Sequence, residues 1–273
     1  MVVFLYLCDK QSLISEIMKK YVLDLNIVSA EHITDRYVLL KLTHSSPLPP
    51  MLPGQFVEVR VDDSPSTFLR RPISINNFDT SCNELWLLVA AVGAGTRRLS
   101  RLSVGDVVNC VLPLGNSFTV PPSGQRALLV GGGVGVAPLL YFGRQLRECG
   151  VEPVFLLGAR SAGDLLMLDE FNKYGRVCVT TEDGSLGERG FVTDHSVLRD
   201  GVRFDQISTC GPKPMMKAVA RYAREHTIRC EASLENLMAC GLGACLCCVE
   251  KTTEGKLCVC KEGPVFDVEK LLW

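Results

Sequence analysis

Apolar positions along the 273-residue chain follow two different patterns, and the change between them marks how the chain is organised. From about residue 25 to 122 the apolar runs are short and strand-like: VLLKL (38–42), QFVEVRV (55–61), ISI (73–75), LWLLVAAV (85–92) and VVNCVLP (107–113). Breakers such as SSPLPPMLPG (45–54) and DDSPS (62–66) separate them. Short strands punctuated in this way, without strong helical periodicity, predict an antiparallel barrel or sandwich. From about 123 to 228 the pattern alternates. ALLVGGG (127–133), PVFLLGA (153–159), RVCVTT (176–181) and DQISTCG (205–211) read as buried strands. The segments VAPLLYFGRQLREC (136–149), GDLLMLDEFNKY (163–174) and PMMKAVARYAREH (214–226) read as helices between and after them. Strands alternating with helices predict a parallel sheet covered on both faces.

The remaining stretch, 229–273, is dominated by cysteine. Of thirteen cysteines in the chain, seven fall between Cys230 and Cys260. Cys240, Cys245 and Cys248 give C-x4-C-x2-C, followed by the more distant Cys260. That is the spacing of plant-type 2Fe–2S centres, which use four thiolates. Glycines in CGLGAC suit a loop that turns tightly and points N–H groups at sulfur. A zinc reading pairs Cys245/Cys248 with Cys258/Cys260, which leaves Cys240 without a role and needs a cramped C-x-C. On the cluster reading Cys247 and Cys258 are bystanders. Scattered cysteines such as Cys110 and Cys149 read as small buried hydrophobes.

Two short motifs in the first region suit an anionic ligand. In RRPISI (70–75), arginines at a strand edge would grip a diphosphate through planar, multi-donor hydrogen bonds, with the Ser74 hydroxyl close by. In VGAGTRRLS (92–100), Gly95 and Thr96 would bring backbone N–H groups and a hydroxyl to a second anionic group. The bland alternative is a surface arginine pair plus a glycine turn. In the second region the strand-to-helix turn GGGVGVAP carries Gly131, Gly133 and Gly135. It is not G-x-G-x-x-G, but it shares the mechanics of close backbone approach and a phosphate-favouring helix start. Tight strand–helix packing alone would also explain it. Cys210 and Gly211 end a later strand at the same carboxyl edge of the sheet, where ligands bind in open α/β folds. Cys210 would either touch a cofactor ring or pack beneath it. Arg160 and Ser161 follow the second parallel strand, where the 2′-phosphate of a nucleotide would sit, so the sequence leaves the presence of that phosphate on the ligand open.

Charge and composition narrow the field. Net charge is −1 with both signs interspersed, which gives no footprint for nucleic acid or an anionic membrane. No apolar run reaches the ~18–20 residues of a membrane span. MVVFLYLC lacks a basic leader and a small-residue cleavage site, so it is a poor signal peptide, and a cytoplasmic protein is expected. Residues 1–24 are expected as an extension or a docking segment, with Met18 an alternative start. The four histidines (32, 44, 195 and 226) are scattered and make no acid–base constellation.

Taken in order, RRPISI, GAGTRRLS, LPLGNSF, GGGVGVAPLL, EDGSLGERGFVTD, CGPKPMM, ACGLGACLCCV and CKEGPVF resemble the iron–sulfur flavoprotein electron-transfer subunit of class 1B dihydroorotate dehydrogenase. The resemblance covers nearly the whole chain from about residue 25. It implies a multidomain β plus α/β architecture of ferredoxin-reductase type, with an FAD-binding β-barrel (25–122), an NAD-binding α/β domain (123–228) and a small 2Fe–2S domain (229–273). It places Arg71, Pro72 and Ser74 on the flavin, and Gly95 and Thr96 on its diphosphate. The Gly131–Pro138 turn and Cys210–Pro212 fall on the nicotinamide side, and Cys240, Cys245, Cys248 and Cys260 on the cluster. The implied partner is an FMN-containing catalytic subunit, two of each in a hetero-tetramer, with electrons running from FMN through cluster and FAD to NAD⁺ in pyrimidine synthesis. Alternatives are the small subunit of an NADH-dependent ferredoxin:NADP⁺ oxidoreductase, a stand-alone NAD(P)H reductase, and a zinc-stabilised nucleotide-binding module without turnover.

Overall fold

The structure, a computed structural model, describes residues 19–273; the N-terminal segment expected as an extension lies outside the described residues through Met18. Strands β1 (Tyr21–Thr34), β2 (Tyr37–Thr43), β3 (Phe56–Val59), β4 (Arg71–Asp79), β5 (Glu84–Ala90) and β6 (Val107–Leu114) close an antiparallel barrel in the order β1-β2-β5-β4-β3-β6. The barrel begins inside the stretch assigned to the extension, because Tyr21 already pairs with Leu112. Alternation fills its interior: Val38, Leu40 and Leu42 of β2 meet Ile73 and Ile75 of β4 and Leu85, Leu87 and Val89 of β5. A short helix, α1 (Ala94–Leu99), follows β5.

The second layer is a seven-stranded sheet. It comprises β7 (Arg126–Gly132), β8 (Glu152–Ala159), β9 (Arg176–Thr181), β10 (Glu188–Arg189), β11 (Gln206–Cys210), β12 (Arg229–Ser233) and β15 (Val265–Asp267) in the order β10-β9-β8-β7-β11-β12-β15. All neighbours are parallel except β12 and β15. Helices α2 (Ala137–Glu148), α3 (Leu168–Asn172) and α4 (Lys213–Glu225) connect them. The predicted helix over 163–174 is cut short, because Met167 takes a left-handed conformation (φ 56°) and helix begins only after it. Within the tail, β13 (Val249–Thr252) and β14 (Gly255–Cys258) form a hairpin ahead of the single turn α5 (Val259–Glu262).

The tail is woven into the sheet instead of hanging from it. β12 and β15 both lie beyond the expected boundary at 228/229, yet they complete the sheet edge. Cys248, Val259, Cys260 and Phe266 pack in one core with Leu128, Val130 and Leu156 of the sheet and Phe56 and Leu114 of the barrel. A separate core joins barrel to sheet, in which Leu39 and Leu88, pointing out of the barrel, meet Leu139, Phe142 and Phe155. This explains why VLLKL is apolar on both faces. Polar ties reinforce the junction: Tyr141 donates its hydroxyl to the Met51 carbonyl at 2.9 Å, and Asn76 Nδ2 donates to the Ala137 carbonyl at 3.0 Å. Among the described residues no helix is long and apolar enough to cross a membrane.

Helix α2 lies so close to β8 that a Cβ on Gly143 would stand 2.2 Å from Cζ of the buried Phe155 ring. Phe155 is held edge-on by Phe171 at 4.9 Å. Replacing Gly143 by Val is therefore expected to destabilise the fold by about 2–3 kcal/mol through overpacking, read as a lower urea midpoint. An unchanged midpoint would mean that the ring swings aside freely.

Candidate functional site

A cleft of about 730 Å³ opens along the carboxyl edge of the sheet. Its floor comes from two strand-to-helix turns that touch through backbone alone. A Cβ on Gly135 would lie 2.5 Å from Gly211 Cα and 2.6 Å from the Cys210 carbonyl, so only glycine permits that approach. Gly133, Gly135 and Gly211 line the cleft, whereas Gly131 and Cys210 lie beneath it. Gly131 packs against Val136 and Leu139. The Cys210 thiol is fully buried, and burial raises its pKa well above the ordinary value. It stands 3.9 Å from Glu235 Oε1. Of the two roles open to Cys210, the structure has it packed beneath the surface.

Glu235 itself lines the cleft and was not singled out in the sequence. Glu235 is exposed on the cleft wall, and the protein packed around its carboxyl raises its pKa. Its only sequence signal is a position two residues past the end of β12, which no periodicity marks. From the barrel side, the β1–β2 turn sends Arg36 and Tyr37 into the same cleft.

The second anionic-ligand motif gathers on the barrel. Along β4, Ile73 and Ile75 point inward, so Pro72 and Ser74 share the outer face with Asn76, the residue bonded to the start of α2. Arg71 and the GAGT turn, distant in sequence, are in contact: a Cβ on Gly95 would meet Arg71 Nε at 2.9 Å. The half-buried Arg71 guanidinium donates Nη1 to the Arg70 carbonyl at 3.0 Å and forms no ion pair among the described residues, which leaves donors for an anion. The Thr96 hydroxyl accepts the Val92 and Gly93 N–H groups at 3.0 Å each, which shapes the turn and the start of α1 and leaves its own O–H as a donor. Arg70 is also structural, donating to the Asn109 carbonyl at 2.9 Å and the Glu58 carbonyl at 3.2 Å.

The cysteines meet where the tail folds over the barrel. Leu242 N–H points at Cys240 Sγ (3.4 Å), Gly243 N–H at Cys260 Sγ (3.1 Å) and Cys260 N–H at Cys248 Sγ (3.4 Å). Backbone donors aimed at sulfur stabilise thiolate, the form that binds metal. At Cys240 burial works against the thiolate, but the N–H groups of Leu242, Cys245 and Ala244 prevail and bring its pKa to about 6. Cys258 differs, since its thiol sits 3.9 Å from the Gly243 carbonyl as a donor. Cys245 and Cys247 are exposed, and Cys248 and Cys260 are buried. Among the described residues no three His, Cys, Asp or Glu side chains are arranged to hold a single metal ion. A two-iron cluster spreads its four thiolates over two metals, and the loop donors fit it.

Between the arginine motif and the cysteine loop lies Glu58 of β3, 1% exposed, with neither carboxyl oxygen hydrogen-bonded. It faces Pro72 across the β3–β4 ladder. Gly241 (φ +68°) lies directly over it: a Cβ there would come within 2.8 Å of Glu58 Cγ and 2.9 Å of Leu114. Burial first, and then the nearby Cys240, raise the Glu58 pKa to about 7 against the pull of Arg70 and Arg71. The buried His195 accepts the Val197 N–H at 2.9 Å, far from these groups in the fold, and belongs to the sheet edge beside Glu188.

Comparisons with known proteins agree with this geometry. Residues 235–272 match the iron–sulfur cluster binding domain of dihydroorotate dehydrogenase B, and residues 129–221 match the oxidoreductase NAD-binding domain. The electron transfer subunit of dihydroorotate dehydrogenase B (NAD⁺) from Shouchella clausii is 42% identical over 81% of this chain and 86% of its own. The corresponding subunit from Lysinibacillus sphaericus is 40% identical over 89% of this chain and 95% of its own. Among solved structures, a chain of an NADH-dependent reduced ferredoxin–NADP oxidoreductase superposes with a TM-score of 0.82 and 31% identity, covering 91% of this chain and 90% of that one.

The raised Glu58 pKa fixes the sign of a pH effect. Between its unfolded value of 4.5 and about 7 the folded chain holds a proton that the unfolded chain has lost, so this group's contribution falls as pH rises through that window. Glu58→Gln is expected to flatten the decline, gaining about 2 kcal/mol on the wild type between pH 4.5 and pH 8. Urea midpoints measured across that range check it; parallel pH profiles would show that the carboxyl is not strained.

Proposed function

The chain belongs to the family of dihydroorotate dehydrogenase B electron transfer subunits, and from that membership we propose that it carries electrons from a partner's FMN to NAD⁺ in the oxidation of dihydroorotate to orotate. The observation that carries the reading is a single contact: the first cysteine loop rests at Gly241 on the strand next to the one bearing Arg71 and Ser74. One continuous body thus joins three sites whose chemistries must be coupled.

Within it the residues divide the work. The free donors of Arg71, with the Gly95 turn against them, bind the FAD diphosphate, and Pro72 and Ser74 hold the outer face of β4 toward the flavin. Thr96 keeps that turn in shape. Gly133, Gly135 and Gly211 let the dinucleotide approach the backbone, while Gly131 and Cys210 support them from below. Cys240, Cys245, Cys248 and Cys260 ligate the 2Fe–2S cluster. When bound, flavin and cluster supply the conversion between single-electron transfer and hydride transfer, because nicotinamide accepts only the latter. The chain's own part is to place these groups, keep water from them and set their surroundings.

An electron-transfer subunit needs a catalytic partner, and the cysteine loop offers a face for one. Leu237 (86% exposed), Leu242 (53%) and Leu246 (64%) present apolar side chains around it. Leu246 is held there with φ +58°, a conformation uncommon for leucine. We assign this face to the FMN subunit, in a hetero-tetramer of two copies each, working in the cytoplasm. The likeness to the ferredoxin–NADP oxidoreductase chain supports a second reading with the same internal path and a different partner. Co-expression with each partner separates them. Dihydroorotate-dependent NADH formation by the reconstituted pair supports the first; activity restored only by the ferredoxin-linked partner would replace it with the second.

Two substitutions test the details. Cys240→Ser is expected to abolish most of the bound iron and Cys247→Ser to leave two irons per chain, both read by iron and sulfide assay on anaerobically purified protein. Leu237→Asp is expected to weaken partner association by at least tenfold with flavin content unchanged, and unchanged affinity would move the interface elsewhere.

A further inference from the structure

The cleft's far end, away from Cys210 and the cysteines, is formed where β8 and β9 finish. A dinucleotide seated on the glycine turn with its nicotinamide toward Gly211 directs its adenosine along the sheet edge to this end. The groups here that suit a 2′-phosphate are Arg36, Arg160 and Ser161. Two of them are already taken. Asp164 Oδ1 accepts Arg36 Nη2 at 2.6 Å, and Asp164 Oδ2 accepts the Ser161 hydroxyl at 3.0 Å. Both carboxylate oxygens are therefore occupied, and the pair of bonds reaches from the barrel turn to the sheet. A second carboxylate flanks the same end: Glu182 donates its N–H to the Ala159 carbonyl at 3.1 Å and lines the cleft with Arg160. Arg160 is exposed and pairs with neither carboxylate within salt-bridge distance.

We propose that Asp164 is the residue that selects NADH over NADPH, by tying up the cation and the hydroxyl a 2′-phosphate would need. This rests on the reading of the cleft as a dinucleotide site. The chemistry is a competition. A 2′-phosphate approaching Ser161 would meet the Asp164 carboxylate as a like charge and would have to draw Arg36 away from it. A ribose 2′-hydroxyl carries no charge and disturbs neither bond. Glu182 adds a second negative charge nearby, so Arg160 alone does not balance a dianion. Arg36 enters from the barrel, and the selector therefore works across the junction of the two layers.

The probes are ADP and 2′,5′-ADP, titrated by calorimetry at low salt into the full-length, flavin-loaded protein. The unsubstituted protein is expected to bind ADP at least tenfold more tightly than 2′,5′-ADP. In Asp164→Asn, with flavin content matched, 2′,5′-ADP should gain at least tenfold while ADP changes less than about threefold. Arg36→Ala alone breaks the same tie but keeps the carboxylate, so the preference for ADP should persist, as a purely structural role for the tie would not predict. Adding Arg36→Ala to Asp164→Asn should cut the gain at least threefold, because Arg36 is the cation released, and leave the part that comes from losing the carboxylate's repulsion. An unchanged ratio in Asp164→Asn, loss of the preference in Arg36→Ala alone, or a gain undiminished in the double variant would each overturn the proposal while leaving the dinucleotide site in place. Failure of the unsubstituted protein to bind ADP would overturn both.

Discussion

The backbone contact at Gly241 governs the rest of the molecule. Where that loop meets Glu58 and Leu114 there is no room for a side chain, and the contact presses the cysteines against the barrel. Electron transfer falls steeply with distance, so a chain coupling a cluster to a flavin must hold their supports in rigid contact. Here the rigidity comes from burying the tail in the sheet's own core. β12 precedes the cysteine loop and β15 follows it, and the two pair with each other as Glu231↔Asp267, Ala232↔Phe266 and Ser233↔Val265. The loop is thereby closed at both ends by sheet hydrogen bonds.

Close contact has an electrostatic consequence. Covering β3 removes Glu58 from water without giving its oxygens a partner, and an uncompensated buried carboxyl is costly. Arg70 and Arg71 lie near enough to moderate that cost but do not bond the carboxyl. At the opposite end of the molecule, Asp164 and Glu182 bring negative charge to the cleft, one of them neutralised by an arginine from the barrel. The cluster loop favours thiolate at Cys240 through backbone N–H groups instead of through a cationic side chain. Each of the three sites thus has its charge set by a different device.

Much of this was legible in the sequence because it is local. Strand and helix periods gave the barrel and the parallel sheet. The C-x4-C-x2-C spacing with its glycines singled out a loop whose N–H groups do face sulfur, and RRPISI and GAGTRRLS name two segments that meet at Arg71 and Gly95. What escaped depends on contacts between distant segments. QFVEVRV alternates, so Glu58 reads as a solvent-facing residue of a barrel strand; it is buried only because the tail covers that face. The boundary placed at 228/229 followed the onset of cysteines, whereas hydrogen bonding carries the sheet through β12 and returns to it at β15. The helix predicted over 163–174 has apolar spacing that Met167 interrupts. Asp164 and Arg36 lie 128 positions apart, and no local pattern pairs them.

The central claim is that dinucleotide, flavin and cluster form one electron path within this chain. Anaerobic titration with NADH, followed by absorption and low-temperature EPR on protein with verified flavin and iron content, tests it most directly. The account predicts bleaching of a bound FAD together with the signal of a reduced 2Fe–2S cluster. Bleaching of the flavin with a fully loaded cluster left oxidised in the partner-bound complex, or protein that carries zinc in place of iron, would contradict it.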